Sequence, residues 1–201
     1  MPRNKQQNER ARDARREKIR VEALKQFALK GLGAARISDI AEGIGMAQGL
    51  LYHYYPSKEA LYLDLAQDAL DKTIENVEEV QGMRGKARDK LLYLLRIFAS
   101  AIEQDENFAR TFCLLTQSTA PLKLSDDDRV FLEEKRLVPY HVLAEIFHEG
   151  QSEGSVSDGE PMEYSLLFWS LVYGLAIHQV THERPMPMPD HKLLSAMFFK
   201  N

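Results

Sequence analysis

The sequence is poor in the features that mark secreted, membrane-spanning and disulfide-bonded proteins. Its 201 residues include a single cysteine, Cys113, so no disulfide can form within the chain, which is typical of a reducing compartment. The first twenty residues, MPRNKQQNERARDARREKIR, are basic and polar and do not resemble a secretory signal peptide. The longest apolar stretch covers residues 164–177 and, at 14 residues, is too short to span a bilayer. We therefore expect a cytoplasmic protein without a membrane partner.

Charge is distributed unevenly along the chain. The net charge is −4, yet residues 1–60 contain 12 Lys and Arg against 7 Asp and Glu, whereas residues 61–201 contain 14 against 23. A basic head on an acidic body indicates an anionic partner at the head, and a solvated basic helix face is the ordinary alternative. Two interpretations stay open for the N-terminal arm, namely contacts with phosphates or the minor groove, or a disordered solubilising tail. The basic residues of this arm are Arg3, Lys5, Arg10, Arg12, Arg15 and Arg16.

Hydrophobic periodicity is helical from end to end, with neither strand-like alternation nor an internal repeat in the sequence. A first helix is predicted to end at residues 31–33, and Ser57 is the predicted N-cap of a long fourth helix. Pro139 is expected to kink the seventh helix. Helices two to nine are predicted at 38–44, 48–54, 57–80, 86–104, 106–118, 126–150, 161–181 and 190–199. The sequence thus predicts an all-α fold of about nine helices, with a three-helix head over residues 1–60 and a larger helical domain over 61–201.

Residues 45–61, GMAQGLLYHYYPSKEAL, have the layout of a helix-turn-helix, with a glycine-containing turn at 43–46 and a short second helix. The four successive aromatic residues at 52–55 cannot all face inward on a helix of 3.6 residues per turn. We expect Met46, Leu51 and Tyr55 to face the core. The side chains expected wholly or partly outside are those of Ala47, Gln48, Gly49, Leu50, Tyr52, His53 and Tyr54.

Each outward residue type suits a contact with duplex DNA. Gln48 has a donor and an acceptor that match an adenine edge, and Leu50 matches a thymine methyl group. Tyr52, His53 and Tyr54 are donors to phosphates, as is Lys58 at the start of the fourth helix. An ordinary helical corner is the alternative explanation for the helix-glycine-helix spacing alone.

The stretches FALKG (27–31), ISDIA (37–41) and GLLYHYYPSKEAL (49–61) resemble the DNA-binding domain of TetR-family transcriptional regulators. The resemblance implies a homodimer that represses from an inverted-repeat operator in double-stranded DNA. A small-molecule effector in the C-terminal domain would release it. We separately expect no enzymatic activity, cofactor or metal. The implied DNA contacts fall on Gln48, Gly49, Leu50, Tyr52, His53, Tyr54 and Lys58.

Two positions depart from the pattern of this family. Arg36 stands where a threonine usually caps the second helix, so either Ser38 caps one turn later or Arg36 contacts a phosphate. Leu50 stands where serine or threonine is usual in the family, so the base preference at this position cannot be predicted from the family pattern. We include Arg36 and Ala47 in the predicted DNA-binding set.

The C-terminal domain is expected to supply both the dimer interface and an effector pocket. The helix at 161–181 is apolar nearly all round and the last helix ends in Met197, Phe198 and Phe199, so we expect the homodimer to form through these last two helices. An aromatic pocket between helices favours a flat or apolar effector, and Glu145 and the aromatic rings would also suit a cationic group. The predicted pocket residues are Phe98, Ile102, Phe108, Phe112, Tyr140, Leu143, Phe147, Phe168, Trp169 and Tyr173.

Two rival interpretations belong to other classes of protein. One is a metal-binding helical bundle, because His178 and His182 share a helix face and Glu145 and His148 have the Glu-x-x-His spacing of di-iron bundles. Such bundles need a second Glu-x-x-His motif and two more glutamates, and the sequence has only one such motif. A helical adaptor whose head binds protein is the other rival, and it predicts no salt-dependent DNA affinity.

Overall fold

The computed structural model describes residues 2–117, 119 and 122–200, with side chains from residue 7 onward. Apart from an isolated bridge between Val156 and Phe199, the described residues form helices and the turns that connect them, which confirms the predicted fold class. The helices are α1 (Pro2–Ala34), α2 (Ile37–Gly43), α3 (Gln48–Leu51), α4 (Lys58–Gly82), α5 (Ala87–Gln104), α6 (Glu106–Leu115), α7 (Asp126–Ser152), α8 (Pro161–Thr181) and α9 (His191–Ser195).

Helix α1 includes the basic arm and breaks at the predicted glycine. The chain is helical from Pro2, and residues 7–17 are exposed, while the side chains of Arg3 and Lys5 lie outside the described residues. Gly31 has φ 77° and ψ 159°, a region open almost only to glycine, and a further turn follows it up to Ala34. The backbone between α1 and α2 therefore changes direction at Gly31, where the sequence predicted the helix to stop.

Helix α2 begins one residue earlier than predicted and has no side-chain cap. Arg36 is the N-cap residue, and its side chain accepts no backbone hydrogen bond there. Ser38 lies inside the helix, where its hydroxyl bonds the Asp39 carboxylate at 3.2 Å. The expectation that Ser38 caps the helix is wrong, because Ile37 is already helical and its apolar side chain is buried.

Two apolar cores meet along α4. The first is formed by α1, α2, α3 and the N-terminal half of α4 up to Leu70, together with Leu114 and Leu115 from α6. The second begins at Val77 of α4 and is built from the helices that follow. Ser57 caps α4 as predicted, with its hydroxyl accepting from Ala60 N at 3.0 Å. One continuous helix thus packs against both cores.

The second core is rich in aromatic side chains contributed by α5 to α8. Trp169 of α8 is fully buried and its indole nitrogen donates to Pro139 O of α7 at 3.3 Å. Ser165 donates to the next carbonyl, Tyr140 O, at 2.8 Å. Helix α7 continues through Pro139, and side chains of α8 bond the carbonyls beside this proline.

The helix bounds differ most from prediction at α3, α6 and α9. Helix α3 ends at Leu51 and is continued to Tyr54 by turns rather than by a regular helix. Helix α6 ends at Leu115, and the predicted end at residue 118 lies outside the described residues. Helix α9 has five residues instead of ten.

The end of the chain packs back onto its own core. Phe198 is fully buried against Phe147 and Phe168, with ring centroids 5.4 and 6.2 Å away. Phe199 is 8% exposed and forms the bridge with Val156. The prediction that the last helix includes Phe198 and Phe199 is therefore wrong, because both rings follow α9 and are buried in the second core of the same chain.

Candidate nucleic-acid interface

Buried side chains at and after the C-terminal end of α3 pack against the head, and a tight turn joins its N-terminal end to α2. Leu51 is fully buried and Tyr55 is 3% exposed, while Met46 is half-buried against the same core. Gly45, with φ 64°, closes the turn, in which Met46 N donates to Ala41 O at 2.8 Å. These contacts fix the direction of α3 relative to α2.

The opposite side of α3 is open to solvent. Leu50 and Tyr52 are 42% and 44% exposed, which is high for apolar and aromatic side chains in an ordered turn. A Cβ added at Gly49 would meet no heavy atom within 4 Å, so the backbone itself is accessible. We call this exposed set the reading surface: Ala47, Gln48, Gly49, Leu50, Tyr52 and His53. Tyr54 is half-buried at its edge, and the contacts of all seven residues with DNA remain predictions.

Lys58 and Arg36 lie beside this surface in different environments. Arg36 is exposed at the start of α2. Lys58 is half-buried, and its Nζ donates to Leu32 O at 2.7 Å and to Ala35 O at 3.2 Å. The Lys58 ammonium group thus caps the C-terminal carbonyls that follow the Gly31 break, where a cation is favoured. A phosphate contact of Lys58 remains a prediction and would be shared with this role.

A polar network joins the end of the α3 turn to α1 and α4. Tyr55 donates to Asp64 at 2.7 Å, and Arg16 Nε donates to the Tyr55 hydroxyl at 2.9 Å. Arg16 and Arg20 both form ion pairs with Asp64, and Arg20 also pairs with Asp68 at 2.5 Å. Sequence reasoning missed this network, although Arg16 and Arg20 are four residues apart on α1, as are Asp64 and Asp68 on α4.

The network changes the ionisation of its central groups. Burial alone would raise the pKa of Asp64, but the Tyr55 hydrogen bond and the guanidinium groups of Arg20 and Arg16 outweigh it and lower that pKa. Burial raises the pKa of Tyr55. Asp64 is therefore an ionised acceptor at neutral pH, and it holds three donors from two segments of the head, α1 and the turn after α3.

Gln117 connects the body to the head at the Gly31 break. Its amide nitrogen donates to Phe27 O at 2.7 Å, and its amide oxygen accepts from Leu32 N at 3.0 Å. The Gly31 break leaves Leu32 N without its usual helical acceptor, so the Gln117 side chain satisfies a backbone group that the helix cannot. No feature of the sequence singled out Gln117, because its partners are backbone atoms about 90 residues earlier.

The predicted effector-binding residues form one packed apolar cluster, mostly aromatic, rather than the wall of one pocket. Phe98 has ring centroids of Phe112, Phe168 and Trp169 within 5.3–6.3 Å. Phe98, Phe108 and Phe112 line a cavity of about 370 Å³, and Tyr140 and Tyr173 line another of about 570 Å³. The remaining five are buried and line neither of these cavities: Ile102, Leu143, Phe147, Phe168 and Trp169.

The histidine pair proposed as a metal site has other partners. His178 Nε2 accepts from Met186 N at 3.0 Å, and His182 Nδ1 lies 3.0 Å from His178 O. Glu145 accepts from Gln81 at 2.6 Å. Among the residues that the structure describes, no three His, Cys, Asp or Glu side chains are grouped closely enough to hold a metal ion. Cys113 is buried, and burial raises the pKa of its thiol to about 11.

Across the described residues, each helix is either too short or too polar to cross a bilayer.

Comparison with known proteins places the helix-turn-helix in a family. The family described as "Bacterial regulatory proteins, tetR family" matches residues 19–65, which contain α2, α3, the Lys58 cap and Asp64. The chain is 27% identical over 143 residues to the HTH-type transcriptional repressor KstR2 of Mycolicibacterium smegmatis, covering 71% of this chain and 67% of that protein. It is 27% identical over 140 residues to the fatty acid metabolism regulator protein of Bacillus subtilis, covering 68% of each.

A solved structure shares the fold over nearly the whole chain. AibR in complex with isovaleryl coenzyme A and operator DNA superimposes with a TM-score of 0.73 at 17% identity, covering 90% of this chain and 94% of AibR. The helix-turn-helix geometry of residues 37–55 and the family match over residues 19–65 lead to one conclusion. Residues 19–65 carry the N-terminal domain of the TetR family of bacterial regulatory proteins.

Proposed function

We propose that the chain is a transcriptional repressor that binds an inverted-repeat operator as a homodimer and leaves it when a small molecule binds among the C-terminal helices. The observation that carries the proposal is the reading surface, an exposed face of α3 on a buried base of Leu51 and Tyr55. The naming of KstR2 as a repressor and the complex of AibR with operator DNA support it. Its place of action would be the bacterial cytoplasm.

The reading surface supports a division of labour in the DNA complex. Gln48 and Leu50 would read base edges in the major groove, because they lie at the exposed start of α3. Tyr52, His53 and Tyr54 would seat the helix on the phosphates. Arg36, Ala47, Gly49 and Lys58 complete the proposed DNA-binding set.

We propose residues 1–60 as the DNA-binding domain and residues 61–201 as the effector-binding and dimerisation domain. Helix α4 would couple them, because it begins at Lys58 beside the reading surface and packs against both cores. An effector changes DNA affinity only if it binds the two arrangements of the heads unequally. The complex of AibR with isovaleryl coenzyme A supports small-molecule binding in this fold.

An exposed apolar stripe on α8 supports the homodimer. Leu166, Leu167 and Ile177 are 54%, 48% and 40% exposed, and Ser170 and Gly174 lie between them on the same side. A Cβ at Gly174 would meet nothing within 4 Å, so a second helix has room to approach the backbone. Because α9 is short, we propose α8 as the main element of the interface, with the exposed Leu193 and Met197 as further contributors.

Selection of bound sequences from a random pool of DNA duplexes tests the function directly. An enriched inverted repeat, with affinity that falls steeply between two salt concentrations, is the expected result. Weak binding to every duplex without enrichment would contradict the proposal and leave the protein-binding adaptor as the better interpretation.

A further inference from the structure

A cleft at the junction of the head and the body has the size of a small-molecule site. Its volume is about 370 Å³, which falls in the usual range for ligand pockets. Helix α1 contributes one wall with Val21 and Leu24, and α4 contributes another with Leu65 and Ala69. Helix α6 closes the third side, so a molecule in this cleft would touch α1, α4 and α6 at once.

The floor of the cleft is aromatic. Phe98, Phe108 and Phe112 line it, with ring centroids 5.0–6.2 Å apart in tilted and edge-on arrangements. Phe98 and Phe112 are buried, whereas Phe108 is half-buried. A flat apolar molecule gains both buried area and ring contacts on such a floor.

The charged groups at the rim already have partners within the chain. Arg20 pairs with Asp64 and Asp68, and Lys72 pairs with Asp68 at 3.0 Å. Asp105 accepts from two backbone amides at the start of α6. An anionic ligand would meet the carboxylates of Glu17, Asp68 and Asp105 and find both cations engaged, so the rim disfavours negative charge.

A polar side chain on α6 supplies a point of attachment. Asn107 is half-buried in the cleft wall, and its side-chain oxygen accepts from Arg110 at 3.0 Å. This contact orients the amide so that its NH₂ group is the donor that remains for a ligand. A carbonyl or hydroxyl oxygen is the matching acceptor.

We infer that the cleft between α1, α4 and α6 is a binding site for an uncharged, flat, largely apolar molecule that has one carbonyl or hydroxyl group. Its occupant would sit one turn from the α1–Gln117 contacts that hold the body to the head. An effect of this occupant on DNA affinity rests on the proposed function, whereas the binding itself is testable without DNA.

Fluorescence titration of the full chain with prodan, an uncharged naphthalene ketone, tests the site. Val21 is 38% exposed at the cleft, so Val21→Trp fills the cleft from α1 without disturbing the core. Leu29→Trp is the matched control, because Leu29 is 55% exposed on α1 and does not line the cleft. We expect saturable, blue-shifted prodan emission that weakens about tenfold or more in Val21→Trp and is unchanged in Leu29→Trp.

Two further measurements fix the ligand class. Asn107→Leu should weaken prodan binding severalfold while circular dichroism shows an intact fold, which covers the case in which Val21→Trp does not fold. The anionic naphthalene 1-anilinonaphthalene-8-sulfonate should bind at least about tenfold more weakly than prodan.

The inference is overturned if prodan does not bind, if neither cleft variant weakens it, or if the anionic probe binds as tightly. Duplex selection with the same preparation separates this result from the function. Prodan binding without an enriched operator would overturn the proposed function and leave the site standing.

Discussion

At the scale of single residues, α3 and the turn after it place buried anchoring side chains and exposed reading side chains on opposite sides. Leu51 and Tyr55 are buried, while Gln48, Leu50 and Tyr52 between and before them are exposed. The spacing of 3.6 residues per turn produces this separation, because residues four apart share a face. An anchor substitution and a reader substitution should therefore have different effects.

Replacing Gln48 with alanine should relax sequence specificity and leave the fold unchanged. Loss of a bidentate contact to a base costs about 1–3 kcal/mol of discrimination at that base pair. Competition binding with the selected operator and with single-base variants measures this loss. Gln104→Ala, an exposed glutamine on α5, is the control. If Gln48→Ala weakened every duplex equally, Gln48 would be a backbone contact and its assignment as a base reader would be wrong.

Replacing Lys58 with alanine should reduce both stability and DNA affinity. The substitution leaves the carbonyls of Leu32 and Ala35 without their charged donor, at a cost of about 1–3 kcal/mol in the free energy of unfolding. Affinity for all duplexes should fall by similar factors, and the dependence of affinity on salt should become flatter. Urea denaturation and binding at two salt concentrations measure the two effects. A change in base preference alone would contradict the assignment of Lys58 to the backbone.

At the scale of secondary-structure elements, prediction succeeded where local chemistry determines the helix end. The Ser57 cap and the Gly31 break are local signals, and the structure follows both of them. Prediction failed at α9, because Phe198 packs against Phe147 and Phe168, which are distant in sequence, and these contacts determine the path of the chain.

The candidate site could be foreseen only in part, for the same reason. The reading surface follows from helical spacing over ten residues, whereas the cleft requires α1, α4 and α6 to be placed together. The Tyr55–Asp64–Arg16 network and the Gln117 contacts join residues 9 to 90 positions apart. Patterns of local periodicity carry no signal for such partners.

The Gly31 break should depend on glycine itself. Gly31→Ala places a Cβ at φ 77°, which costs about 1–3 kcal/mol even though no atom lies within 4 Å of that Cβ. Gly82→Ala is the matched control, because Gly82 also has open space but is helical, and alanine there should raise stability by up to about 1 kcal/mol. Thermal unfolding of both variants checks the contrast. Equal changes in stability for the two variants would show that an alanine side chain at position 31 does not strain the backbone.

The network between α1 and α4 should make the stability of the head depend on pH. Because the pKa of Asp64 is lower in the folded chain, its contribution is complete above the unfolded-state value of about 4 and is lost as pH falls through the folded-state value. Asp64→Asn should therefore reduce the free energy of unfolding at pH 7 and show a smaller difference from wild type near pH 3. Urea denaturation at both pH values measures this. Asp13→Asn, at an exposed position of α1 outside the network, is the control.

At the scale of the whole molecule, α4 is one continuous helix that packs against the cores of both the head and the body. The head holds α4 through the Asp64 network, and the body holds it through the second core from Val77 onward. Gln117 adds a second link from the end of α6 to α1. A change in the body therefore has two structural routes to the reading surface, along α4 and across α6.

The homodimer is the level at which these links would act on DNA, and it can be tested through α8. A palindromic operator binds tightly only if two heads are held about one helical turn of DNA apart. Leu167→Glu places a charge in the apolar stripe and should shift the protein from dimer to monomer in analytical ultracentrifugation, with the operator affinity falling in parallel. Val130→Glu is the control, because Val130 is 57% exposed on α7 and outside the stripe. A Leu167→Glu protein that remained dimeric would move the interface away from α8, whereas a monomeric variant with unchanged operator affinity would show that each head binds its half-site independently.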